Sequence, residues 1–263
     1  MNKYSLFFIL LFPLSSVSGD IIIQSTTSTR DSGLYEYLLP NYPDYKNVTI
    51  KTIAVGTGQA IANAYNCDAD LLIVHDNDKE MKFMNSGYGK ERVNLMYNDF
   101  VVVGPINDPA NIANKNNIYD IFLSIYESKS FFVSRSDSSG THMAEMSIWS
   151  EIKVDPHPGS ALWYFETGQG MGPSLNVAVS LGAYILTDRS SWIKFSNKGL
   201  HKILYRNPVE LKNQYGMILI SPDKCPNMNY KESLQLFRWL SSSNAKNLIN
   251  SYKIDKTQVF FIK

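Results

Sequence analysis

Three short segments of the chain are rich in serine, threonine and glycine, the residue types from which proteins build sites for anions. They are residues 25–33 (STTSTRDSG), 56–58 (GTG) and 134–142 (SRSDSSGTH). Hydroxyl groups donate hydrogen bonds, and glycine lets backbone N–H groups come close to a bound group. Serine and threonine also cap helices and fill turns in proteins that bind nothing there. Because the composition recurs in three segments, it favours one shared anion site.

Arg135 gives the third segment a positive charge. A guanidinium offers paired N–H donors whose spacing matches the oxygens of an oxoanion. Asp137 follows closely and is placed to hold that guanidinium in position. The alternative is that the two residues form an ion pair on the surface. The first interpretation predicts that Arg135 lies inside the site.

An enzyme is the competing interpretation of these residues. Ser139 and His142 could be a nucleophile and its base, and His75 is another candidate base. The chain has no Gly-x-Ser-x-Gly motif, and a base so soon after its nucleophile in the chain has no reason to point at it. No group of histidines, cysteines or carboxylates has the spacing of metal ligands. We therefore expect no catalytic residue and no metal coordinated by the protein.

The pattern around the three segments predicts the elements that would hold them. Apolar β-branched runs alternate with helical patterns, which favours parallel sheets covered by helices. Each segment falls between a predicted strand and a predicted helix, where open α/β sheets bind ligands and where a helix start attracts anions. The predicted strands are residues 21–23, 48–55, 71–74, 130–133 and 183–186, and the predicted helices are residues 33–39, 59–65, 118–126, 141–149 and 174–180.

Two longer apolar strands, residues 100–103 and 215–220, flank the second half of this alternation. We interpret them as the two crossings between two α/β lobes. The alternative is a single α/β domain in which both are ordinary core strands. A mature chain of about 245 residues is long enough for either arrangement.

Residues 1–18 have the order of a secretory signal, with Lys3, then a short apolar core, then small residues up to Ser18. The core is shorter than the roughly twenty residues that span a bilayer, and an N-terminal membrane anchor is the alternative. No cysteine precedes Cys67, so no lipid can be attached at the cleavage point. The net charge of +1 creates no overall field for nucleic acid or a membrane. We expect a soluble protein exported to the periplasm without a lipid anchor.

Together these segments resemble the tungstate-binding proteins of ABC transporters, the TupA type. The first segment is similar to the family's Thr-rich loop followed by Asp-Ser-Gly, with Ser25 in place of a threonine, and residues 134–142 are similar to its second loop. The other matching segments are AVGTG (54–58), DADLLIVH (68–75), YNDFV (97–101), WYFETGQGMG (163–172) and LTDR (186–189). The resemblance covers nearly the whole chain after the signal.

The resemblance implies a two-lobed Venus-flytrap fold of the class II periplasmic binding proteins, each lobe a mostly parallel sheet flanked by helices. We expect lobe I to comprise residues 19–103 and 212–263, and lobe II residues 104–211. For Arg189, an ion pair with Asp188 is the alternative to ligand binding. The implied oxoanion-binding residues are Thr26, Thr27, Ser28 and Thr57 in lobe I, and Arg135, Ser139, Gly140, Thr141, Gly170, Met171 and Arg189 in lobe II.

The implied function is delivery of tungstate to the membrane permease of an ABC importer, by a monomer that uses no cofactor and binds no nucleic acid. Molybdate has nearly the same size and charge as tungstate, so physical reasoning does not rank the two, and phosphate and sulfate come after them. A carboxylate near the ligand would repel a fully deprotonated anion. We therefore expect Asp76, beside His75, to point away from the site.

Two cysteines, Cys67 and Cys225, are expected in an oxidising compartment. In the inferred fold, Cys67 precedes strand 71–74 at the edge of the sheet away from the cleft, and strand 215–220 returns antiparallel beside it. Cys225 should then reach the same edge, so we expect a disulfide, which requires Cα atoms about 4.4–6.8 Å apart. Two unrelated thiols, with Cys67 replacing the glycine of relatives, are the alternative.

Overall fold

The computed structural model describes residues 19–137 and 139–262, so the predicted secretory signal lies outside the described residues. The strands are β1 Ile21–Thr26, β2 Ile50–Val55, β3 Leu71–Val74, β4 Gly89–Pro105, β5 Phe132–Ser134, β6 Tyr164–Glu166, β7 Tyr184–Asp188, β8 His201–Arg206, β9 Lys212–Ile220, β10 Lys253–Ile254 and β11 Thr257–Gln258. The helices are α1 Thr27–Ser32, α2 Leu34–Leu38, α3 Thr57–Tyr65, α4 Asn77–Asn85, α5 Ile118–Ser128, α6 Gly140–Glu151, α7 Met171–Leu181, α8 Arg189–Lys194, α9 Tyr230–Leu240 and α10 Ser243–Ser251. Within this part of the chain, no helix is long and apolar enough to cross a membrane.

The large sheet has the strand order β2-β1-β3-β9-β4-β7-β5-β6, with β8 also paired to β4. β1 runs parallel to β2 and β3, and β5 runs parallel to β6 and β7. β9 runs antiparallel between β3 and β4, and β4 runs antiparallel to β7. Each half of the sheet is thus a set of three parallel strands joined to an antiparallel long strand.

β4 belongs to both halves of this sheet. Its residues 89–99 pair with β9, whereas its residues 100–105 pair with β7 and β8. β9 begins where this exchange occurs, since Lys212 pairs with Asp99. β4 and β9 are therefore the strands that connect a lobe built on β1, β2 and β3 (lobe I) with a lobe built on β5, β6 and β7 (lobe II).

Each lobe has its own apolar core. In lobe I the largest core residues include Tyr215 and Phe237, and in lobe II they include Phe122, Trp149 and Tyr164. All five side chains are almost completely buried. Because neither core depends on the other, the lobes can keep their internal packing while their relative position changes.

The first Ser/Thr-rich segment folds differently from its prediction as a loop. Its first two residues complete β1, residues 27–32 form the short helix α1, and Gly33 ends that helix with a φ of 81°. We predicted a loop because serine and threonine hydroxyls favour turns. Here those hydroxyls bond within the helix instead, as when Ser32 Oγ donates to the carbonyl of Thr29 at 2.6 Å.

A disulfide joins Cys67 and Cys225, whose Cα atoms are 5.3 Å apart. That distance lies in the range that the prediction required. β9 runs antiparallel to β3, which brings the residues beyond the end of β9 to the start of β3. Cys67 has a φ of 63°, a left-handed backbone conformation that glycine adopts more readily than any other residue. The bridge lies at the edge of lobe I opposite the carboxyl ends of β1, β2 and β3.

Candidate anion-binding site

The lobe I half of the site lies where three parallel strands end. Thr26, the last residue of β1, pairs with Val55, the last residue of β2, and β3 runs on the other side of β1. Thr27, Thr57 and His75 follow these strands, so they lie along one edge of the sheet. This is the edge at which open α/β sheets bind ligands.

Hydroxyl groups of the first segment form a buried cluster. Thr26 Oγ1 lies 3.1 Å from Ser28 Oγ and 3.2 Å from Thr29 Oγ1. Ser28 Oγ lies 3.1 Å from the hydroxyl of Tyr215. Thr27, at the start of α1, is partly buried. The sequence alone indicates no role for Thr29 or Tyr215. Tyr215 belongs to an apolar strand, so the sequence pattern predicts a core residue and not a hydroxyl that contacts the site.

Thr57 is the first residue of α3, and only 1% of it is exposed. Its Oγ1 is buried and has no hydrogen-bonding partner among the described residues. Burying a polar group without a partner costs roughly 1–3 kcal/mol, so native proteins seldom leave one unpaired. An oxoanion bound at this edge would supply the acceptor that Thr57 needs.

Arg135 follows β5 in lobe II and is 6% exposed, so the alternative of a surface ion pair is wrong. Its Nη2 donates to Oδ2 of Asp137 at 2.5 Å. A buried charge needs compensation, and this carboxylate both neutralises and orients the guanidinium. Within residues 19–137 and 139–262, the buried Nε of Arg135 has no partner. Like Thr57, it is a donor suited to an anion.

Ser139 is the N-cap of α6, and Gly140 and Thr141 are the first residues of that helix; all three are buried. Ser139 Oγ lies 2.5 Å from Oδ1 of Asp137 and accepts a hydrogen bond from the backbone N–H of His142 at 3.2 Å. A hydroxyl has a single proton, and that of Ser139 is directed to Asp137. The donors that this helix start directs outward are therefore the N–H groups of Gly140 and Thr141.

The ring of His142 contacts Ser134 and Glu145. Its Nδ1 lies 3.2 Å from Ser134 Oγ and 3.7 Å from Oε2 of Glu145. Ser134 Oγ also donates to Oε2 of Glu145 at 2.8 Å, and the proximity of that buried carboxylate raises the pKa of His142. Ser139 meets His142 only through a backbone N–H. The two are thus not arranged as nucleophile and base, and His142 and Glu145 instead support the loop that carries Arg135.

Thr167 also supports the arginine loop. Its hydroxyl donates to the carbonyls of Ser134 and Arg135, at 3.2 and 3.3 Å. Thr167 lies in the matching segment 163–172, but the sequence alone indicates no role for it. Its role comes from the parallel pairing of β5 with β6, which a sequence pattern does not reveal.

Gly170 is the N-cap of α7, and Met171 is the first residue of that helix. Gly170 is exposed, whereas Met171 is 7% exposed. Met171 lines a small cavity of about 150 Å³ together with Asp31 and Lys194. The structure therefore places Met171 beside the end of α1, and its side chain belongs to the same apolar cluster as Val133 of β5.

Arg189 is bound by protein groups. Its Nε donates to Oδ1 of Asp99 at 2.7 Å, and its Nη2 donates to the carbonyl of Gln258 at 3.0 Å. The predicted alternative, an ion pair with Asp188, is wrong: Arg189 pairs with Asp99, and Asp188 caps α8 by accepting from the N–H of Ser191. Arg189 is 3% exposed and lies beside the crossing strand β4. Its guanidinium thus links lobe II to the C-terminal part of lobe I.

His75 lies against lobe II. Its ring packs on that of Tyr215, with centroids 4.8 Å apart, and its Nδ1 is buried without a partner among the described residues. A Cβ atom on Gly140 would lie 2.3 Å from Cε1 of His75, so the two lobes are in contact here. Burial lowers the pKa of His75 to about 4. The ring is therefore neutral at neutral pH and adds no charge to the site.

Asp76 serves as the N-cap of α4. Its carboxylate accepts a hydrogen bond from the N–H of Lys79 at 3.0 Å, and it pairs with the Lys79 ammonium at 3.0 Å. Both residues line a cavity of about 500 Å³ that opens beside His75. The charge of Asp76 is thus compensated within its own helix.

The site provides neutral hydroxyl and N–H donors and one guanidinium, that of Arg135, whose charge is paired with Asp137. Such donors suit a ligand with many hydrogen-bond acceptors. Among the described residues, no group of three or more histidines, cysteines and carboxylates could hold a metal ion. The donors come from both lobes: the hydroxyls of Thr26, Ser28 and Thr57 from one, and Arg135 with the start of α6 from the other. Such a set suits a small anion held between the lobes.

Most of the chain is similar to known proteins in sequence and in fold. Residues 15–244 match the model of a PBP superfamily domain. The tungstate-binding protein TupA of Peptoclostridium acidaminophilum is 38% identical over 245 residues, covering 92% of this chain and 84% of that protein. The structure of the tungstate ABC transporter from Geobacter sulfurreducens has a TM-score of 0.80 and 38% identity, covering 89% of this chain and 98% of that one. The TupA structure from Desulfovibrio alaskensis G20 has a TM-score of 0.80 and 35% identity, covering 92% and 98%.

These likenesses extend over most of each chain and confirm the two-lobed α/β fold that the motifs predicted. They also agree with a substrate-binding role. The chain belongs to the PBP superfamily and, within it, to the TupA family of substrate-binding proteins of ABC transporters.

Proposed function

We propose that this protein binds tungstate between its lobes and delivers it to the membrane permease of an ABC importer. The observation that carries the proposal is a pair of buried donors that have no partner within residues 19–137 and 139–262, Thr57 Oγ1 in lobe I and Arg135 Nε in lobe II. Relatives that are 38% and 36% identical are named as tungstate-binding proteins, which supports tungstate as the ligand. The ligand contacts proposed are those of the predicted set that meet at the strand ends: Thr26, Thr27, Ser28, Thr57, Arg135, Gly140 and Thr141.

The charge of the site fits an oxoanion rather than a cation or a neutral solute. Arg135 carries one positive charge, and Asp137 holds it in place through a 2.5 Å hydrogen bond. Both oxygens of Asp137 accept hydrogen bonds from its own loop, so the acceptors of this carboxylate are occupied by Arg135 and Ser139. The hydroxyl cluster around Thr26 is neutral, so a dianion is stabilised by many dipoles rather than by a surplus of cations.

We also propose that the protein acts in the periplasm as a monomer, without a cofactor and without catalysis. The division into lobes that we propose is residues 19–103 with 212–263, and residues 104–211. β9 begins at Lys212, which supports the boundary at residues 211/212. β4 leaves β9 for β7 after Asp99, which favours a first boundary at residues 99/100 rather than 103/104. The secretory order of residues 1–18 supports export.

Isothermal titration calorimetry with tungstate, molybdate, sulfate and phosphate in parallel tests the proposal. We expect saturable binding of tungstate at one site per chain, without chemical conversion of the anion. Phosphate bound more tightly than tungstate would refute the ligand assignment. Binding of none of the four anions would refute the site.

A further inference from the structure

We propose that His75 is a positioning residue on which lobe II closes, and that residue 140 is glycine because the ring of His75 occupies the space of a side chain there. This inference rests on the proposed function, since closure matters only if a ligand is held between the lobes. It assigns Gly140 a role different from the close approach of its backbone to the anion.

The position of His75 follows from the order of the strands. It comes directly after β3, which lies beside β1 in lobe I, and its ring packs on Tyr215 of the crossing strand β9 at a centroid distance of 4.8 Å. The hydroxyl of Tyr215 lies 3.1 Å from Ser28 Oγ. His75 is therefore held by the same tyrosine that contacts the hydroxyl cluster of the anion site.

The contact across the cleft is close. A Cβ built on Gly140 would lie 2.3 Å from Cε1, 2.5 Å from Nδ1 and 3.2 Å from Nε2 of His75. Such distances are well inside van der Waals contact, so any side chain at position 140 must separate the lobes or displace the ring. The ring of His75 cannot move aside easily, because it is packed between Tyr215 and Gly140.

The backbone of Gly140 does not itself require glycine. Its φ is not among the positive values found in this chain, and it is the first residue of α6, a position that alanine tolerates. A substitution of Gly140 should therefore leave the fold of lobe II intact and affect only the closure of the two lobes. Gly172, near the start of α7, is a matched control because a Cβ there would have no atom within 4 Å.

A double-mutant cycle tests this. Gly140→Ala should weaken tungstate binding at least about tenfold, because overpacking is relieved by moving the lobes apart or by displacing the packed ring of His75. His75→Ala should weaken it less, and Gly140→Ala/His75→Ala should bind about as well as His75→Ala alone, since the smaller side chain makes room for the new methyl group. Gly172→Ala should bind like the parent.

Two further measurements separate closure from damage to the fold. Without ligand, the thermal unfolding midpoint of Gly140→Ala should equal that of the parent. With saturating tungstate, small-angle X-ray scattering should show less compaction for Gly140→Ala than for the parent, and the double variant should regain it.

Each remaining outcome overturns the inference. If Gly140→Ala binds like the parent, the contact with His75 does not limit closure. If the double variant binds as weakly as the two single effects combined, glycine is needed for the approach of its backbone to the anion and not because of His75. A parent protein that binds none of the oxoanions overturns the proposed function, and this inference with it.

Discussion

At the scale of the residue, Arg135 and Thr57 present donors of different strength to one site. We expect Arg135→Ala to weaken tungstate binding more than Thr57→Val, because a lost charge-assisted hydrogen bond costs about 1.5–3 kcal/mol and a neutral one about 1 kcal/mol. Arg135→Ala also leaves Asp137 without its cation. Calorimetric titration measures both changes.

The matched control for this comparison is Arg238→Ala. Arg238 is exposed on α9, a helix that contributes no residue to the proposed site, and its replacement by alanine removes the same charge. Its dissociation constant for tungstate should equal that of the parent. If Arg135→Ala behaves like Arg238→Ala, the arginine loop is not part of the site.

His75 gives the stability of the protein a dependence on pH. Burial lowers its pKa from 6.5 to about 4 in the folded chain. Between these values the unfolded chain binds a proton that the folded chain does not, so stability is lost as pH falls from about 6.5 towards 4. We expect the unfolding midpoint to fall further between pH 7 and pH 4.5 in the parent than in His75→Phe, which keeps a ring against Tyr215. Calorimetric scans at both pH values measure this, and equal slopes would contradict it.

At the scale of the element, the disulfide and the backbone of Cys67 make separable contributions. The bridge closes a loop with a sequence separation of 158, and its removal should cost about 2–4 kcal/mol. Cys67 has a φ of 63°, which disfavours residues with a Cβ by roughly 1–2 kcal/mol. We therefore expect Cys67→Gly/Cys225→Ala to be more stable than Cys67→Ala/Cys225→Ala, although both lack the bridge. Urea unfolding with matched slopes measures the difference; equal midpoints would show that position 67 carries no backbone strain.

Elements with a strong apolar pattern could be predicted from the sequence, whereas elements held by tertiary contacts could not. The strand 71–74 was predicted at its observed bounds, because a run of four aliphatic residues between polar ones is too short for a helix and typical of a buried strand. The helix α4 was missed because it is mostly polar. It is anchored by Glu80, which is completely buried and pairs with Arg92 of β4 at 2.7 Å. Asp76 caps its start through a hydrogen bond from the N–H of Lys79.

The site divides in the same way. The segments around Thr26, Thr57 and Arg135 could be found from composition because their donors are close together in the chain. Tyr215 and Glu145 could not, since each acts on the site through a partner distant in sequence or on another element. The hydrogen bond that Ser139 Oγ donates to Asp137 likewise could not be predicted from the sequence.

At the scale of the whole molecule, donors on two lobes imply that the bound anion stabilises a closed arrangement. Each lobe has its own core, so closure requires movement only where β4 and β9 cross. We expect saturating tungstate to reduce the radius of gyration measured by small-angle X-ray scattering. Arg135→Ala at the same tungstate concentration should show no reduction. An unchanged radius for the parent at saturation would contradict a bridging ligand.

The place of β9 in the sheet also has a consequence for the order of folding. β9 lies between β3 and β4, so the sheet of lobe I stays incomplete until residues 212–220 join strands that precede lobe II in the chain. Lobe II, by contrast, is contiguous in the chain. Its pairing with the long strand β4, as of Phe100 with Asp188, joins residues that are closer in the chain than the pairing of β3 with β9, as of Leu71 with Leu219. Because local contacts form faster than distant ones, lobe II should acquire its structure first. In pulse-labelled hydrogen exchange during refolding, amides of β5 and β7 should gain protection before those of β1 and β3. The reverse order would mean that lobe I forms a productive nucleus without its central strand.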